Sequence, residues 1–326
     1  MVLSAERLAE ALANTSLHLV VLPTEACNFR CFYCYEDFKL ARMKEPVVRG
    51  LERLLEARAP SLERLSISWF GGEPLLARDL VVRVLERVEA LRLEHPRLAL
   101  ASDITTNAWH ADRPLFKRLL GLGVRSWQIS FDGPREVHDR RRRLAGGGGT
   151  FDRIWENVRA MCAVEGEFDV RLRVHVDREN RGEVPRFLEQ CERAFAGDGR
   201  FRVFLRPLSR LGGPNDASIA ILADEEADAL ACARADARER GLAVLVPELE
   251  EAICHAAWGN SFVVRADGRI SKCTVALAHP ANDIGRLHED GTLEIDAPKA
   301  RPWLRGLASG RAIELLCPMI GLAEGG

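Results

Sequence analysis

The chain has 326 residues, 47% of them hydrophobic, with a formal net charge of -2 and a sequence pI near 6.5. That supplies a sizeable core for one large α/β domain and a smaller appendage, and the charge balance excludes a nucleic-acid surface or an acidic tail as the organising feature. No segment approaches the roughly 20 apolar residues of a membrane helix, and Glu6 and Glu10 interrupt the N-terminus, unlike a secretory signal. A cytoplasmic enzyme with no nucleic-acid or membrane partner is expected. The nine cysteines cluster near position 30 and then spread, which suits metal ligation or buried thiols better than a disulfide framework.

Residues 1–16 read as an N-terminal helical segment. Strand patterns then fall at 17–22, 65–70, 98–104, 126–131, 170–176 and 201–206, and helical spacing at 46–57, 77–92, 112–121, 151–164, 183–194 and 223–241. Strand then helix, repeated, predicts a parallel sheet with right-handed crossovers. Only about 205 residues are used, short of the ~250 of an eight-unit barrel, so the expected fold is α/β, a partial (β/α)6 TIM-type barrel over 17–240.

Each motif stands at a strand end, where α/β sites are built. After the first strand come Cys27, Cys31 and Cys34, three thiols within eight residues of loop, with Tyr33 before the third. Three ligands on a cubic iron–sulfur cluster leave one iron open, whereas ferredoxin runs supply a cysteine to every iron. A zinc site, which normally takes four ligands, or three buried thiols are the alternatives.

The second strand ends in Trp69-Phe70-Gly71-Gly72-Glu73-Pro74-Leu75, whose glycines expose carbonyls and whose Glu73 supplies a carboxylate, both acceptors for an ammonium group. A strand-ending turn is the plainer reading. The third strand ends in Thr105-Thr106-Asn107-Ala108, the fourth in Ser130-Phe131-Asp132-Gly133-Pro134 with His138-Asp139 beyond, where Asp132 and Gly133 are also good turn residues. Arg140 to Arg143 read as a solvated loop or helix end, and Gly146 to Gly149 as a mobile loop. On the fifth strand Arg171, Arg173 and His175 share a face, suited to a carboxylate or to a salt bridge across the barrel mouth, which Leu205-Arg206-Pro207 also lines.

Cys162, Cys191 and Cys232 lie within helical patterns and read as core thiols. Beyond residue 240, 242–246 suggests a strand and 261–272 a hairpin about Asp267-Gly268. That hairpin brings Cys254 and Cys273 together at its outer ends, with Cys317 further on.

The Cys27-x3-Cys31-x2-Cys34 spacing with Tyr33 resembles the radical S-adenosylmethionine (SAM) superfamily. The resemblance implies a [4Fe–4S] cluster on Cys27, Cys31 and Cys34, whose open iron is chelated by SAM and which cleaves it to methionine and a 5′-deoxyadenosyl radical. It implies that Gly71, Gly72, Glu73 and Pro74 match the family's GGEP element, that Ser130 and Asp132 match its SxDG element, that Thr106 and Asn107 match its TNG with Ala108 replacing glycine, and that Arg173 reaches the SAM carboxylate. Cys254, then thirteen residues, Gly268, four residues and Cys273 are similar to the opening of SPASM and twitch domains, implying over 241–326 a small α+β domain with a single auxiliary [4Fe–4S] cluster held by Cys254, Cys273 and Cys317. The ending after Cys317 resembles an interrupted SPASM core, as a shortened chain would give.

The combination is most like maturases that form thioether or carbon–carbon crosslinks, of cyclophane type, in ribosomally made peptides, related to anaerobic sulfatase maturases. Sulfatase-type formylglycine formation and a twitch-type dehydrogenase acting on a small molecule are the alternatives; Thr274 after Cys273 stands where the sulfatase maturases place an acidic base. The implied partners are a precursor peptide, a separate leader-binding protein, since no such domain is evident before residue 17, and an electron donor such as flavodoxin or ferredoxin.

Overall fold

The structure is a computed structural model and describes residues 5–246 and 253–322. In chain order the strands are β1 (Ser16–Val21), β2 (Phe29–Cys31), β3 (Arg64–Trp69), β4 (Ala99–Thr106), β5 (Val124–Phe131), β6 (Arg142–Leu144), β7 (Asp169–Val176), β8 (Phe201–Pro207), β9 (Ala243–Val244), β10 (Ser261–Val264), β11 (Arg269–Ser271), β12 (Gly285–Leu287) and β13 (Leu293–Ile295). The helices are α1 (Ala5–Leu12), α2 (Glu45–Arg58), α3 (Arg78–Glu94), α4 (Arg113–Gly121), α5 (Arg135–Arg141), α6 (Phe151–Met161), α7 (Val184–Phe195), α8 (Glu226–Glu239), α9 (Ala297–Ala300), α10 (Arg305–Ser309) and α11 (Ala312–Leu316). The six expected strand–helix repeats are present, the main sheet is mostly parallel, and its strand order does not close into a barrel.

The chain divides into two compact units, and β4 passes from one to the other. The first comprises residues 1–26, 38–102 and 248–326. In it β1 lies between β3 and β10, parallel to both, with His18 opposite Ser66 and Ser261. The C-terminal hairpin therefore extends the sheet: β10, β11, β12 and β13 follow as antiparallel neighbours. Its turn is held by Gly268, at φ +85°.

The second unit comprises residues 27–37 and 103–247. Here β5, β7, β8 and β9 are parallel neighbours. Along β7 the period of two sends Val170, Leu172 and Val174 into the core and puts Arg171, Arg173 and His175 on the other face. Helix α7 shows the complementary pattern, burying Val184, Phe187, Leu188, Cys191 and Phe195. Phe131, Phe151, Trp155 and Phe187 pack between them with ring centroids 5.3 to 6.4 Å apart.

Two expectations need correction. Arg140 to Arg143 are only in part a solvated helix end: α5 ends at Arg141, and Arg140 and Arg143 are exposed, but Arg141 and Arg142 are buried because acidic and phenolic partners surround them. Of the three expected core thiols only Cys191 is buried; Cys162 is half-buried beyond the end of α6 and Cys232 is exposed on α8. Helix α8 buries only Leu230 and Ala237, so its alanine-rich pattern leaves Cys232 on the solvent side.

Candidate active site

The cysteine loop belongs to the second unit and is held at several points. Strand β2 pairs antiparallel with β6, setting Cys31 opposite Arg142 and Arg30 opposite Arg143. Cys34 N donates to Cys31 O at 3.1 Å, and Asn215 donates from Nδ2 to Phe32 O at 2.8 Å. A Cβ on Gly213 would stand 2.6 Å from Cys34 O, so the loop after β8 packs closely on the last cysteine. The Cys27 sulfur accepts from Phe29 N at 3.3 Å, and Asn107 Nδ2 lies 3.9 Å from it while donating to Asn28 Oδ1 at 2.8 Å.

Behind this loop lies a buried ionic network. The Tyr33 hydroxyl donates to Asp132 Oδ1 at 2.9 Å and accepts from Arg142 Nη1 at 2.7 Å. His175 Nδ1 is 3.2 Å from the same Asp132 oxygen. Arg141 joins Asp132, at 3.2 Å, to Asp177, at 2.6 Å, and Asn180 Nδ2 donates to the Asp132 and His175 carbonyls. Burial works against the Asp132 carboxylate, but His175, Arg142 and Arg141 outweigh it and hold its pKa well below the usual range. Burial likewise opposes the Arg142 charge, which the nearby Asp132 carboxylate and the hydrogen bond to Tyr33 nevertheless stabilise. Burial lowers His175 to about 4, with Arg173 adding to the effect. Asp132 thus orients Tyr33 and the basic groups, with both carboxylate oxygens engaged by the protein.

Among the described residues no three His, Cys, Asp or Glu side chains group as a ready metal cage. Burial raises the Cys31 thiol pKa and pushes that of Cys34 up to about 11. Thiolates are the ligating form, so loading a metal centre releases these protons.

Arg173, paired in register with Ser130 across β5 and β7, is half-buried, and its buried Nε has no hydrogen-bond partner among the described residues. Burial lowers its pKa, and Arg206 repels it further. A guanidinium with a buried, unbonded Nε keeps a donor free for a carboxylate. Thr106 Oγ1 accepts from Ala108 N at 3.0 Å and Asn107 Oδ1 from Trp109 N at 3.0 Å, shaping the end of β4. Ala108 adopts φ +59°, so the glycine-like left-handed turn is kept although alanine occupies it. Asp139 accepts from Thr150 N at 2.7 Å and Phe151 N at 2.9 Å, capping α6.

The glycine motif belongs to the first unit. Gly71 has φ +114°, and a Cβ there would run into Thr24 O; one on Gly72 would run into Ala26 O and stand 2.6 Å from Glu25 O. Glu73 N donates to Ala26 O at 3.0 Å. The pair of glycines therefore exists for backbone approach, as a shelf of carbonyls requires. Glu73 is fully buried, and one of its carboxylate oxygens accepts from Leu75 N at 2.9 Å. The donor set of three loop thiols fits a [4Fe–4S] cluster with one iron left open.

The C-terminal cysteines lie in the first unit too. Cys254 N donates to Leu315 O at 2.8 Å, which ties it to α11, and Cys317 N donates to Ile313 O at 3.1 Å. Burial raises Cys254, and Cys273 and Cys317 are near enough to raise it further. Val275 N donates to the Cys273 sulfur at 3.4 Å. Asn282, fully buried, accepts from Lys272 N and Cys273 N, both at 2.9 Å, and donates to Cys273 O and Ala276 O. Lys272 is buried, with Nζ donating to Trp258 O and Ser261 O. The sequence gives no periodic signal for Asn282, Arg141 or Arg142, whose roles come from partners distant along the chain.

Residues 21–191, more than half of the chain, match the family model described as the radical SAM superfamily. Fe-coproporphyrin III synthase of Methanosarcina barkeri is 28% identical over 169 residues, which is 52% of this chain and 39% of that protein. PqqA peptide cyclase of Gluconobacter oxydans is 25% identical over 275 residues, 82% of this chain and 73% of that protein. Among solved structures, native anSMEcpe with bound AdoMet and Cp18Cys peptide has a TM-score of 0.65 at 18% identity, covering 87% of this chain and 80% of that one, a likeness of fold. With the cysteine loop and the glycine motif in place at the ends of the first two parallel strands, the chain belongs to the radical SAM superfamily.

Proposed function

We propose that the chain is a peptide-modifying radical SAM enzyme that crosslinks a ribosomally made precursor peptide through a thioether or a carbon–carbon bond. The observation carrying this reading is the likeness to a peptide cyclase over 82% of the chain, C-terminal region included in the proposal through its three neighbouring cysteines. When bound, the cluster supplies the electron that cleaves SAM, and the resulting radical takes a hydrogen atom from a peptide side chain.

The protein's part is to hold and orient. Cys27, Cys31 and Cys34 are the cluster ligands, and the buried Tyr33–Asp132–Arg142 network fixes their loop. The backbone carbonyls exposed by Gly71 and Gly72, with Glu73 and Pro74, take the SAM ammonium, Arg173 its carboxylate, and Ser130, Thr106 and Asn107 the ribose side. Cys254, Cys273 and Cys317 hold an auxiliary cluster that accepts the electron left when the crosslink closes. We assign residues 17–240 to the partial barrel and 241–326 to the auxiliary region, a cytoplasmic location, a flavodoxin or ferredoxin as reductant, and a separate protein for leader recognition.

Anaerobic reconstitution with SAM and dithionite tests the chemistry: 5′-deoxyadenosine is expected, and its persistence after all three of Cys27, Cys31 and Cys34 are changed to Ala would refute the assignment. Co-expression with short peptides encoded beside the gene tests the substrate class. A peptide that loses two hydrogens, with the crosslink located by fragmentation, supports it; turnover of a small molecule with no peptide product overturns it.

A further inference from the structure

The carbonyl shelf beneath the glycine motif is held from the other end of the chain. Glu25 sits between Thr24 and Ala26, whose carbonyls meet Gly71 and Gly72. Its side chain is 2% exposed as a residue and accepts a two-pronged bond from Arg265, Nε to Oε1 at 3.1 Å and Nη2 to Oε2 at 2.6 Å, with Ala266 N adding a third bond at 3.3 Å. Arg265 is 6% exposed and begins the turn between β10 and β11, where its N donates to Arg269 O at 3.0 Å. Its Nη1 also donates to Leu277 O at 2.7 Å, in the loop that follows Cys273. One planar fork thus fastens the strand-end segment before the cluster cysteines to the C-terminal hairpin.

We propose that Arg265 is a positioning residue for SAM: through Glu25 it fixes the Thr24–Ala26 carbonyls on which Gly71, Gly72 and Glu73 are seated, so the C-terminal hairpin is part of the SAM-binding machinery. This rests on the reading that the glycine motif holds the SAM ammonium. A well-packed apolar pair is often as stable as a buried ion pair, so stability alone gives no reason for a bidentate one. Directionality does, since a glycine motif that takes an ammonium must be placed to a fraction of an ångström, and the Thr24 and Ala26 carbonyls are what it is seated on.

The test compares Arg265→Met, Arg265→Lys, the double change Glu25→Met with Arg265→Met, and Gly72→Ala, each reconstituted anaerobically. SAM binding is read by equilibrium dialysis, alongside iron content, melting temperature and the KM and kcat for 5′-deoxyadenosine formation. Arg265→Met strands a buried carboxylate and lowers both stability and SAM affinity. The double variant regains the melting temperature and keeps its iron, yet binds SAM about tenfold more weakly, a loss near 1.4 kcal/mol, with KM raised and kcat little changed. Arg265→Lys, which keeps the charge but not the fork, falls between.

Wild-type SAM affinity in an iron-replete double variant, or in Arg265→Lys should the double variant fail to fold, overturns the proposal. Gly72→Ala separates this from the underlying reading. If it binds SAM normally, the glycine motif does not hold SAM; if it binds weakly while the Arg265 variants bind normally, the coupling alone is wrong.

Discussion

Arg142 donates from Nη1 to the Tyr33 hydroxyl at 2.7 Å while its backbone stands opposite Cys31 in the β2–β6 pair. One residue thus braces the cysteine loop by side chain and by main chain. Arg142→Met removes the hydrogen bond to Tyr33 and a charge that helps hold Asp132 ionised, and is expected to destabilise the protein by roughly 1.5 to 3 kcal/mol, as losing a buried hydrogen bond from a charged donor does. Urea unfolding of the cluster-free protein measures the loss. Iron retained after reconstitution should fall with it, and Arg142→Lys should recover part of both.

Ala108 sits at φ +59°, a conformation that disfavours a Cβ. Ala108→Gly relieves that strain, worth up to about 2 kcal/mol, against the loss of one fully buried methyl group, about 0.8 kcal/mol, and the residue-108 carbonyl still accepts from Asn157 at 2.8 Å. A gain of about 1 kcal/mol in thermal or urea unfolding is expected, as for glycine at a left-handed position. A destabilised variant would show that the strain is absent.

Asn282 holds the turn at Cys273 through both amide atoms. Asn282→Ala removes a buried acceptor serving two N–H groups and should destabilise by roughly 2 to 4 kcal/mol. On the proposed assignment of a second cluster to Cys254, Cys273 and Cys317, reconstituted protein should lose that iron while keeping the iron of Cys27, Cys31 and Cys34. Iron analysis would then fall from about eight to about four per chain. Equal loss from both sites would contradict the local role.

Stability should fall as pH drops from 7 to 5, and His138 accounts for part of it. Its ring is buried against Phe131 and Phe151. Thr150 Oγ1 donates to the Arg142 carbonyl at 2.6 Å, so His138 must donate from Nε2 to Thr150, 3.1 Å away, leaving Nδ1 unprotonated and without a partner among the described residues. Burial first, then Arg142 with Arg141, lowers its pKa to about 3 against the pull of Asp132 and Asp139. A depressed folded value means that the unfolded chain binds the proton first as pH falls below about 6.5, so this stabilisation is complete above that pH and lost below it, by about 2 kcal/mol between pH 7 and 5. His138→Gln, which keeps a donor to Thr150, should flatten the pH dependence of urea unfolding by that amount.

Thiol labelling separates the helical cysteines. Cys232 is exposed on α8 and should react with iodoacetamide in the native protein, whereas Cys191 is buried, with its thiol pKa raised by burial, and should react only on unfolding. Mass mapping of labelled peptides before and after denaturation reads the difference. Rapid native labelling of Cys191 would contradict the packing of α7.

The strand–helix alternation, the cysteine spacing and the glycine motif were legible in the sequence because each is local: a hydrophobic period, a three-and-two spacing, a pair of glycines at a strand end. The hairpin about Asp267-Gly268 was legible for the same reason. The Arg140 to Arg143 run was not, since a row of arginines looks solvated until Asp132, Asp177 and Tyr33 are brought to it across the sheet. Cys232 misled because apolar spacing in an alanine-rich helix does not say which face meets the core.

By itself, then, the sequence determined the chemistry: three thiols in a loop after a strand, followed one unit later by glycines that admit backbone carbonyls. Only the tertiary structure decided what holds those parts still. Glu25 and Arg265 are 240 residues apart and Tyr33 and Arg142 are 109 apart, and no local pattern encodes such pairs. They form because a buried charge must find a counter-charge or a hydrogen-bond acceptor wherever the folded chain places one.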